Sequence, residues 1–295
     1  MTQWMTIIDA VSPEIIPQIR AFIIQSERQG APGLREDSDS FLWDHTLQVA
    51  AVTGALSREE KRDPVVPLLT ALFHDAGKFT LTGYHRDDIP EEQTAAAAAR
   101  VILSRLRVYS GMIEKVNASL NALYQEGRQT DPAADIVHDA DFLSKFGFQG
   151  AAQFFIKSAL RGRNLSSAVL SSVSKELTYA AVLPENMRTP AGKKMAHEKK
   201  HNTRVFFRGL LKELREAGMA DFRIRIHPCP CPCNPDRTLS LHLAEPAECP
   251  ACGGEFQHCF TTESGLKCRQ LNAEISCRSC GHRMSVSFCL PEIPC

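Results

Sequence analysis

The segment from Ala71 to Phe79 reads ALFHDAGKF and contains the residue types most able to do chemistry. An apolar run ends in the pair His74–Asp75, and Lys78 follows shortly after. An imidazole beside a carboxylate suits a divalent transition metal such as Mn, Fe or Ni better than calcium. Neighbouring helical residues point about 100° apart. Both side chains therefore reach one centre only near a helix end, or where two metals share the site. Lys78 is then available to contact a phosphate oxygen.

Two further candidate ligands lie on segments with helical patterns. His45 stands in FLWDHTLQVA, where Asp39 or Ser40 can cap the helix, and Asp141 stands in VHDADFLSKFG. Packed helices can bring such side chains together in the core of a bundle. Asp139 lies two residues before Asp141, and the residues alone leave open which of the two binds the metal.

The order His45, His74–Asp75, Asp141 resembles the pattern of the HD-domain phosphohydrolases, which is a histidine, a His-Asp pair and a distant aspartate. The resemblance covers about residues 20 to 217. It is greatest to a bacterial subgroup with a helix reading DADRLDALGAIG, where this chain has DADFLSKFG from Asp139 onward. The stretch NMRTPAGKKMA at residues 186–196 resembles the tail of the same subgroup. The resemblance favours Asp141 over Asp139 because Asp141 directly precedes the Phe-Leu positions.

The resemblance implies a helical bundle in which His45, His74, Asp75 and Asp141 bind Mn, Fe, Ni or Mg. Such a metal supplies hydroxide near neutral pH. Asp75 would serve as a base, and Lys78 and His85 would hold phosphate oxygens or protonate the leaving group. The reaction implied is hydrolysis of a phosphate ester or anhydride, with a nucleotide as the favoured small-molecule substrate.

Two departures from the subgroup leave alternatives open. Phe142 stands where the subgroup has arginine, and Ser144 stands where it has aspartate. These positions motivate a second hypothesis, a non-catalytic module that senses a nucleotide and uses its C-terminal region to dock a protein partner. A third hypothesis is a nucleic-acid phosphodiesterase.

The cysteines form the second motif. All 11 lie at or after Cys229, and two CxxCG knuckles stand out among them, Cys249/Cys252 and Cys277/Cys280. Two such knuckles supply the four sulfurs of a closed tetrahedral zinc site, and the pattern resembles a zinc ribbon. The run CPCPC adds further candidates for a second zinc site, which are Cys229, Cys231 and Cys233 with Cys259, Cys268 or Cys289 as partners.

The ribbon segment is not basic. After residue 228 the chain has five lysines and arginines against seven acidic residues. A net negative module binds a phosphate backbone poorly, so protein contact or a homodimer through the ribbon is favoured over nucleic acid. The stretch 188–225 is basic by contrast, and it either attracts an anionic substrate or forms a solvated helix face.

Hydrophobic periodicity predicts a mainly α chain with a small β-rich end. The expected helices include 65–73 ending at Gly77, 90–106, 133–146 closed by Gly147, and 203–217 with a stripe of apolar residues from Val205 to Leu214. Residues 83–90 are expected to form a loop. The proline-rich change near His227 divides the chain into a helical hydrolase domain, 1–226, and a cysteine-rich ribbon domain, 227–295. No signal peptide or membrane span is evident, which favours a cytoplasmic protein.

Overall fold

The computed structural model describes residues 3–30, 40–80, 83–84, 90–123, 131–160, 162–219, 221–231, 234–264 and 269–289. Ten helices lie within these ranges: α1 Gln3–Val11, α2 Ile15–Gly30, α3 Phe41–Glu59, α4 Val65–Phe73, α5 Glu91–Arg105, α6 Ser110–Ala122, α7 Pro132–Ser144, α8 Gly147–Leu160, α9 Leu165–Asn186 and α10 Pro190–Glu216. The strands there are β1 Phe79–Thr80, β2 Gly83–Tyr84, β3 Phe222–Cys231, β4 Asn234–Pro246, β5 Phe256–Ser264, β6 Arg269–Cys277 and β7 Arg283–Cys289. The prediction of a mainly α chain with a small C-terminal β region is confirmed.

The chain divides into two compact units. The first comprises Met1–Ser144 and Met187–Gly192, and the second comprises Lys145–Asn186 and Lys193–Cys295. This division differs from the predicted boundary between residues 226 and 227, which falls inside β3. The physical reason is a shared core in the second unit, where Phe154, Leu177 and Phe207 from α8, α9 and α10 are buried with Phe222 and Ala244 from β3 and β4.

The first unit is built around α4. Its leucines Leu68, Leu69 and Leu72 and the terminal Phe73 are fully buried, because α3, α6 and α7 pack around this short helix. A helix that is apolar on all sides must be enclosed by other elements of the fold. The helix α3 begins as predicted, since the hydroxyl oxygen of Ser40 accepts a hydrogen bond from the Trp43 N–H.

Gly77 has a different role from the predicted helix cap. The helix α4 ends at Phe73, and Gly77 is not among the glycines with positive φ. A Cβ at Gly77 would lie 2.2 Å from the Glu91 carbonyl oxygen. Glycine is therefore needed because the first turn of α5 passes against the backbone of the His74–Asp75 turn. The predicted loop at 83–90 contains the short strand β2, which pairs with β1 through Phe79–Tyr84 and Thr80–Gly83.

The second unit combines helices with two antiparallel sheets, β3–β4 and β5–β6–β7. The free edge of β4 is covered by α9. The Ser174 and Thr178 hydroxyl oxygens accept hydrogen bonds from the N–H groups of Ala244 and His242 at 2.8 and 2.9 Å. Capping alternate N–H groups in this way protects an edge strand from pairing with another chain.

The proline- and cysteine-rich run after residue 227 is a strand up to Cys231, where a linker was expected. Pro228 and Pro230 pair in register with Ser240 and Thr238. Prolines at alternate positions direct their nitrogens to the same edge, and β3 is bonded to β4 on one edge only in the described sheet. An edge strand tolerates proline in this arrangement.

The helix α10 also differs from its prediction. It begins at Pro190 rather than near residue 203, and Val205, expected on its apolar stripe, is exposed. Phe207 is fully buried instead. Within the described ranges, no helix combines the length and the apolar character needed to cross a bilayer.

Candidate metal centre

Three elements of the first unit carry the predicted His/Asp set. His45 lies in the first turns of α3, His74 forms the C-cap of α4, Asp75 follows in the next turn, and Asp141 lies on α7. The backbone after α4 stays tightly turned, because the N–H groups of Ala76 and Lys78 donate to the carbonyls of Phe73 and Asp75. The pair His74–Asp75 is thereby held at a helix end, as the spacing predicts.

The side chains converge in a buried cluster. The Nε2 atoms of His45 and His74 are 3.4 Å apart, and Asp141 Oδ1 lies 3.2 Å from the first and 3.9 Å from the second. One ligand atom from each of these three residues lies within 4.8 Å of the other two. The Asp75 carboxylate contacts both imidazoles at 3.5 Å. All four residues are buried.

Contacts at the Nδ1 atoms orient both imidazole rings. His74 Nδ1 lies 2.7 Å from the Ala71 carbonyl oxygen, which can only accept, so Nδ1 carries the proton and Nε2 faces the cluster as a lone pair. The Ser144 hydroxyl donates to the Asp141 carbonyl at 2.7 Å and lies 3.5 Å from His45 Nδ1. Such partners fix the tautomer in which Nε2 is the ligand atom. Ser144 thus occupies a position beside the site, at one of the two places where the sequence departs from the subgroup.

Burial and neighbouring charges shift the pKa values of His45 and Asp75 in the directions that favour metal binding. Burial lowers the pKa of His45, and this outweighs the opposing effects of Asp141 and Asp75. Burial would raise the pKa of Asp75, but the charges of His74, Lys78 and His45 reverse this and hold it below its usual range. Metal binding requires neutral imidazoles and ionised carboxylates, and the shifts of His45 and Asp75 lie in those two directions.

Lys78 and His85 were predicted to assist catalysis. Lys78 Nζ lies 2.9 Å from Asp75 Oδ2, with 23% of its side chain exposed. It therefore lies at the solvent side of the carboxylate, where it can contact both Asp75 and an incoming anion. His85 lies outside the described residues.

The structure separates the roles of Asp139 and Asp141. Asp139 is fully buried and faces the segment that precedes and opens α10, where it accepts hydrogen bonds from the N–H groups of Arg188 and Thr189 and from the Thr189 hydroxyl. Asp141 faces the imidazoles instead. Thr189 was not singled out from the sequence, although it lies in the NMRTPAGKKMA stretch that carried the resemblance.

The basic stretch is partly neutralised by ion pairs. Arg188 Nη1 lies 3.3 Å from Asp135 Oδ1, and Arg225 Nε lies 2.7 Å from Glu245 Oε1. These pairs reduce the positive charge that the sequence alone assigns to residues 188–225.

The predicted cysteine ligands also come together. The sulfurs of Cys249 and Cys280 are 3.6 Å apart, and those of Cys252 and Cys277 are 3.5 Å apart. Each knuckle closes on a glycine, since Gly253 and Gly281 both have φ of +72° and donate to the carbonyls of Cys249 and Cys277. Only glycine adopts this conformation freely.

The thiols of this cluster shift one another's pKa values in opposite directions. The Gly254 N–H would lower the pKa of Cys252, but the neighbouring Cys280 and Cys277 raise it to about 12. Backbone N–H groups of Cys280 and Ser279 lower the pKa of Cys277 to about 6 despite burial. Four thiolates at this spacing need a cation to coexist. The cluster is therefore compatible with a bound metal ion.

The run CPCPC is only partly described. Cys229 is buried in the apolar core of the second unit with Leu239 and Leu271. The side chain of Cys231 and the residues Cys233 and Cys268 lie outside the described part, as does the side chain of Cys289. A second zinc site from these cysteines stays a prediction.

Comparison with known families matches residues 42–145 to the family described as HD domain. This range contains His45, His74, Asp75 and Asp141. No curated protein matches the chain. In general terms, the family match and the site geometry support a metal-dependent hydrolase.

Several solved structures are similar to this chain. The Bacillus subtilis YpgQ protein in complex with ADP is 19% identical over 69% of this chain and 96% of its own, with a TM-score of 0.49. The Lin1889 protein from Listeria innocua is 22% identical over 68% and 96%, with a TM-score of 0.45. An HD-superfamily hydrolase from Bacillus thuringiensis is 20% identical over 68% and 97%, with a TM-score of 0.47.

Proposed function

We propose that this protein is a metal-dependent phosphohydrolase that acts on a nucleotide or a related phosphate ester or anhydride. The observation that carries the proposal is the convergence of two Nε2 atoms and two carboxylates with a lysine at their solvent side. A divalent metal at the His45, His74, Asp75 and Asp141 set fits these residues, because both imidazoles present lone pairs and imidazole with carboxylate suits Mn, Fe, Ni or Mg.

When bound, the metal lowers the pKa of water and polarises a phosphoryl oxygen. The chain's own residues then position the reactants. Asp75 holds an ionised carboxylate beside both imidazoles, where it can accept the proton of an attacking water. Lys78 can move from Asp75 Oδ2 to a phosphate oxygen as substrate enters, since its amine is a flexible point charge on a partly exposed stem.

We further propose that the four-cysteine cluster is a structural zinc site in a ribbon-like module. Its support is the pairing of two glycine-closed knuckles at the same end of the three-stranded sheet, where Phe256 pairs with Cys277. A closed site of four thiolates stabilises a small domain rather than reacting. The net negative charge of this segment favours a protein contact or a second copy over nucleic acid, and the cytoplasm fits the free thiols that the site needs.

The test is a substrate screen with a matched pair of variants. The full chain, loaded separately with Mn, Ni and Mg, is incubated with nucleoside mono- and triphosphates and with a generic phosphodiester. Release of phosphate, pyrophosphate or alcohol is measured. Asp75→Asn preserves shape and removes the charge, so it should lower turnover by about 100-fold or more. Asp63→Asn, an exposed carboxylate just before α4, should leave turnover unchanged.

Two results would contradict the proposal. One is the absence of product with every metal and substrate class, and the other is equal turnover of Asp75→Asn and the unchanged chain. Tight nucleotide binding without turnover, measured by calorimetry in the same samples, would favour the non-catalytic sensor that Phe142 and Ser144 suggest. Cleavage of single-stranded nucleic acid alone would favour the phosphodiesterase.

A further inference from the structure

A third cluster of metal-ligating side chains lies in the second unit and contains no residue of the two sequence motifs. His227 on β3, Glu245 on β4 and His258 on β5 each place one ligand atom within 4.8 Å of the other two. Strand register explains the grouping. Arg223, Arg225 and His227 lie at alternate positions of β3 and therefore share one face of the sheet. Arg223 pairs with Glu245 and Arg225 pairs with Leu243. Glu245 therefore lies on the same face as Arg225 and His227.

The contacts within this cluster are short. Glu245 is fully buried, and its Oε2 lies 2.6 Å from His258 Nε2 while its Oε1 lies 2.7 Å from Arg225 Nε. The rings of His227 and His258 lie against each other with centroids 4.2 Å apart and planes tilted by 40°. Arg225 thus forms an ion pair with one carboxylate oxygen, while the other contacts the His258 imidazole.

His227 supplies the second observation. Its Nε2 atom is buried and has no hydrogen-bond partner among the described residues. A buried polar atom without a partner loses its hydration without replacing it, so native proteins rarely leave one. Burial lowers the pKa of His227, and the nearby His258 and Arg225 lower it further against the effect of Glu245. The buried Nε2 atom with no hydrogen-bond partner among the described residues is therefore a candidate ligand atom for a metal ion.

We propose that His227, Glu245 and His258 bind a divalent transition metal ion. Two imidazoles and one carboxylate form a donor set known for zinc and for non-haem iron. The ion would take the place of the proton shared by His258 Nε2 and Glu245 Oε2, and it would give His227 Nε2 a partner. Metal binding would release that proton to solvent. This site uses none of the residues of the His/Asp cluster or the four-cysteine cluster.

The competing explanation is an ion-pair network without metal. In that case Arg225, Glu245 and His258 form ion pairs, and His227 only packs its ring at a tilt against those of His258 and Phe260. The two explanations differ in what happens to His227. A metal site engages its Nε2 together with that of His258, whereas the network leaves it unaffected by metal.

The first measurement is metal content of the full chain. After chelation, the protein is reloaded with excess Zn²⁺, desalted and analysed by elemental mass spectrometry. His227→Gln and His258→Gln should each bind one equivalent less than the unchanged chain. His201→Gln, an exposed histidine on α10, should bind the same number. Equal zinc content in all four proteins would overturn the proposal.

The second measurement follows zinc binding in the unchanged chain and uses the variants only to assign signals. Protein labelled with ¹⁵N in its histidine rings is titrated with Zn²⁺, and the ring signals are assigned from the single variants. The His227 and His258 signals should shift together and saturate with one equivalent. Ring signals that stay in place for His227 while the cysteine cluster fills would establish the ion-pair network instead.

Discussion

Replacing Gly192 with alanine should destabilise the first unit. A Cβ at Gly192 would lie 2.2 Å from Asp139 Oδ2 and 2.8 Å from Thr189 Oγ1. The same oxygen of Asp139 accepts hydrogen bonds from the N–H and the hydroxyl of Thr189 at 2.8 and 2.7 Å. The added methyl group therefore cannot enter without moving a fully buried carboxylate away from its donors.

The magnitude follows from these contacts. Hydrogen bonds to a charged group contribute about 1.5–3 kcal/mol each, and at least two of the Thr189 contacts must lengthen. Alanine gains about 0.5–1 kcal/mol over glycine inside a helix, which offsets part of the loss. We expect a net loss of about 2–5 kcal/mol in the free energy of unfolding, within the range for a disrupted buried network.

Urea unfolding followed by tryptophan fluorescence is the suitable assay. The chain has two tryptophans, Trp4 and Trp43, and both are buried in the first unit, so their emission reports the unit that contains the clash. Gly209→Ala is the matched control on the same helix, since its Cβ would meet nothing within 4 Å. By circular dichroism it should be neutral or slightly stabilising. A Gly192→Ala protein within about 0.5 kcal/mol of the unchanged chain would refute the reasoning.

Two further outcomes are expected. Burial, with the charges of Arg204, Lys200 and Arg208, lowers the pKa of His242 to about 4. The unfolded chain binds this proton near pH 6.5, so stability should fall as pH drops from about 6.5 toward 4. Discounted for solvent screening, the loss is about 1–2 kcal/mol, and His242→Gln should flatten the slope in urea titrations at each pH. Ser144→Ala should weaken metal binding at the His/Asp cluster about tenfold by releasing His45 Nδ1. Unchanged affinity in a buffered metal titration would show that Ser144 does not orient the ring.

Local patterns predicted the elements and motifs of this chain well. The Ser40 cap, the apolar helix α4 and the glycine-closed cysteine knuckles each depend on a few adjacent residues. The packing of α8, α9 and α10 onto the β3–β4 strands was not predictable, because it depends on burial between residues far apart in the chain. Likewise, the sequence predicts Gly77 as a helix cap because glycine is common at that position. The structure shows a different reason, since the backbone of α5 leaves no room for a side chain there.

The choice between Asp139 and Asp141 shows where sequence reasoning needs the structure. Residues two apart on a helix point about 200° apart, so one of the two must face away from any shared site. The pattern DAD does not say which. The N–H groups of Arg188 and Thr189, some 50 residues later, decide it by occupying Asp139.

The hydrogen-bond partners of a buried carboxylate indicate whether it can also bind a metal ion. Asp139 accepts hydrogen bonds from the N–H groups of Arg188 and Thr189 and from the Thr189 hydroxyl, so it has little capacity left for a ligand although His138 Nδ1 lies 3.1 Å from its Oδ1. A carboxylate that faces imidazole nitrogens, such as Asp141 or Glu245, sits among groups that can exchange a proton for a cation. Glu245 has one oxygen paired with Arg225, which limits it to a single coordinating oxygen. A metal ion at His227 and His258 would therefore be held by three protein atoms, leaving a coordination position open to solvent or to a ligand.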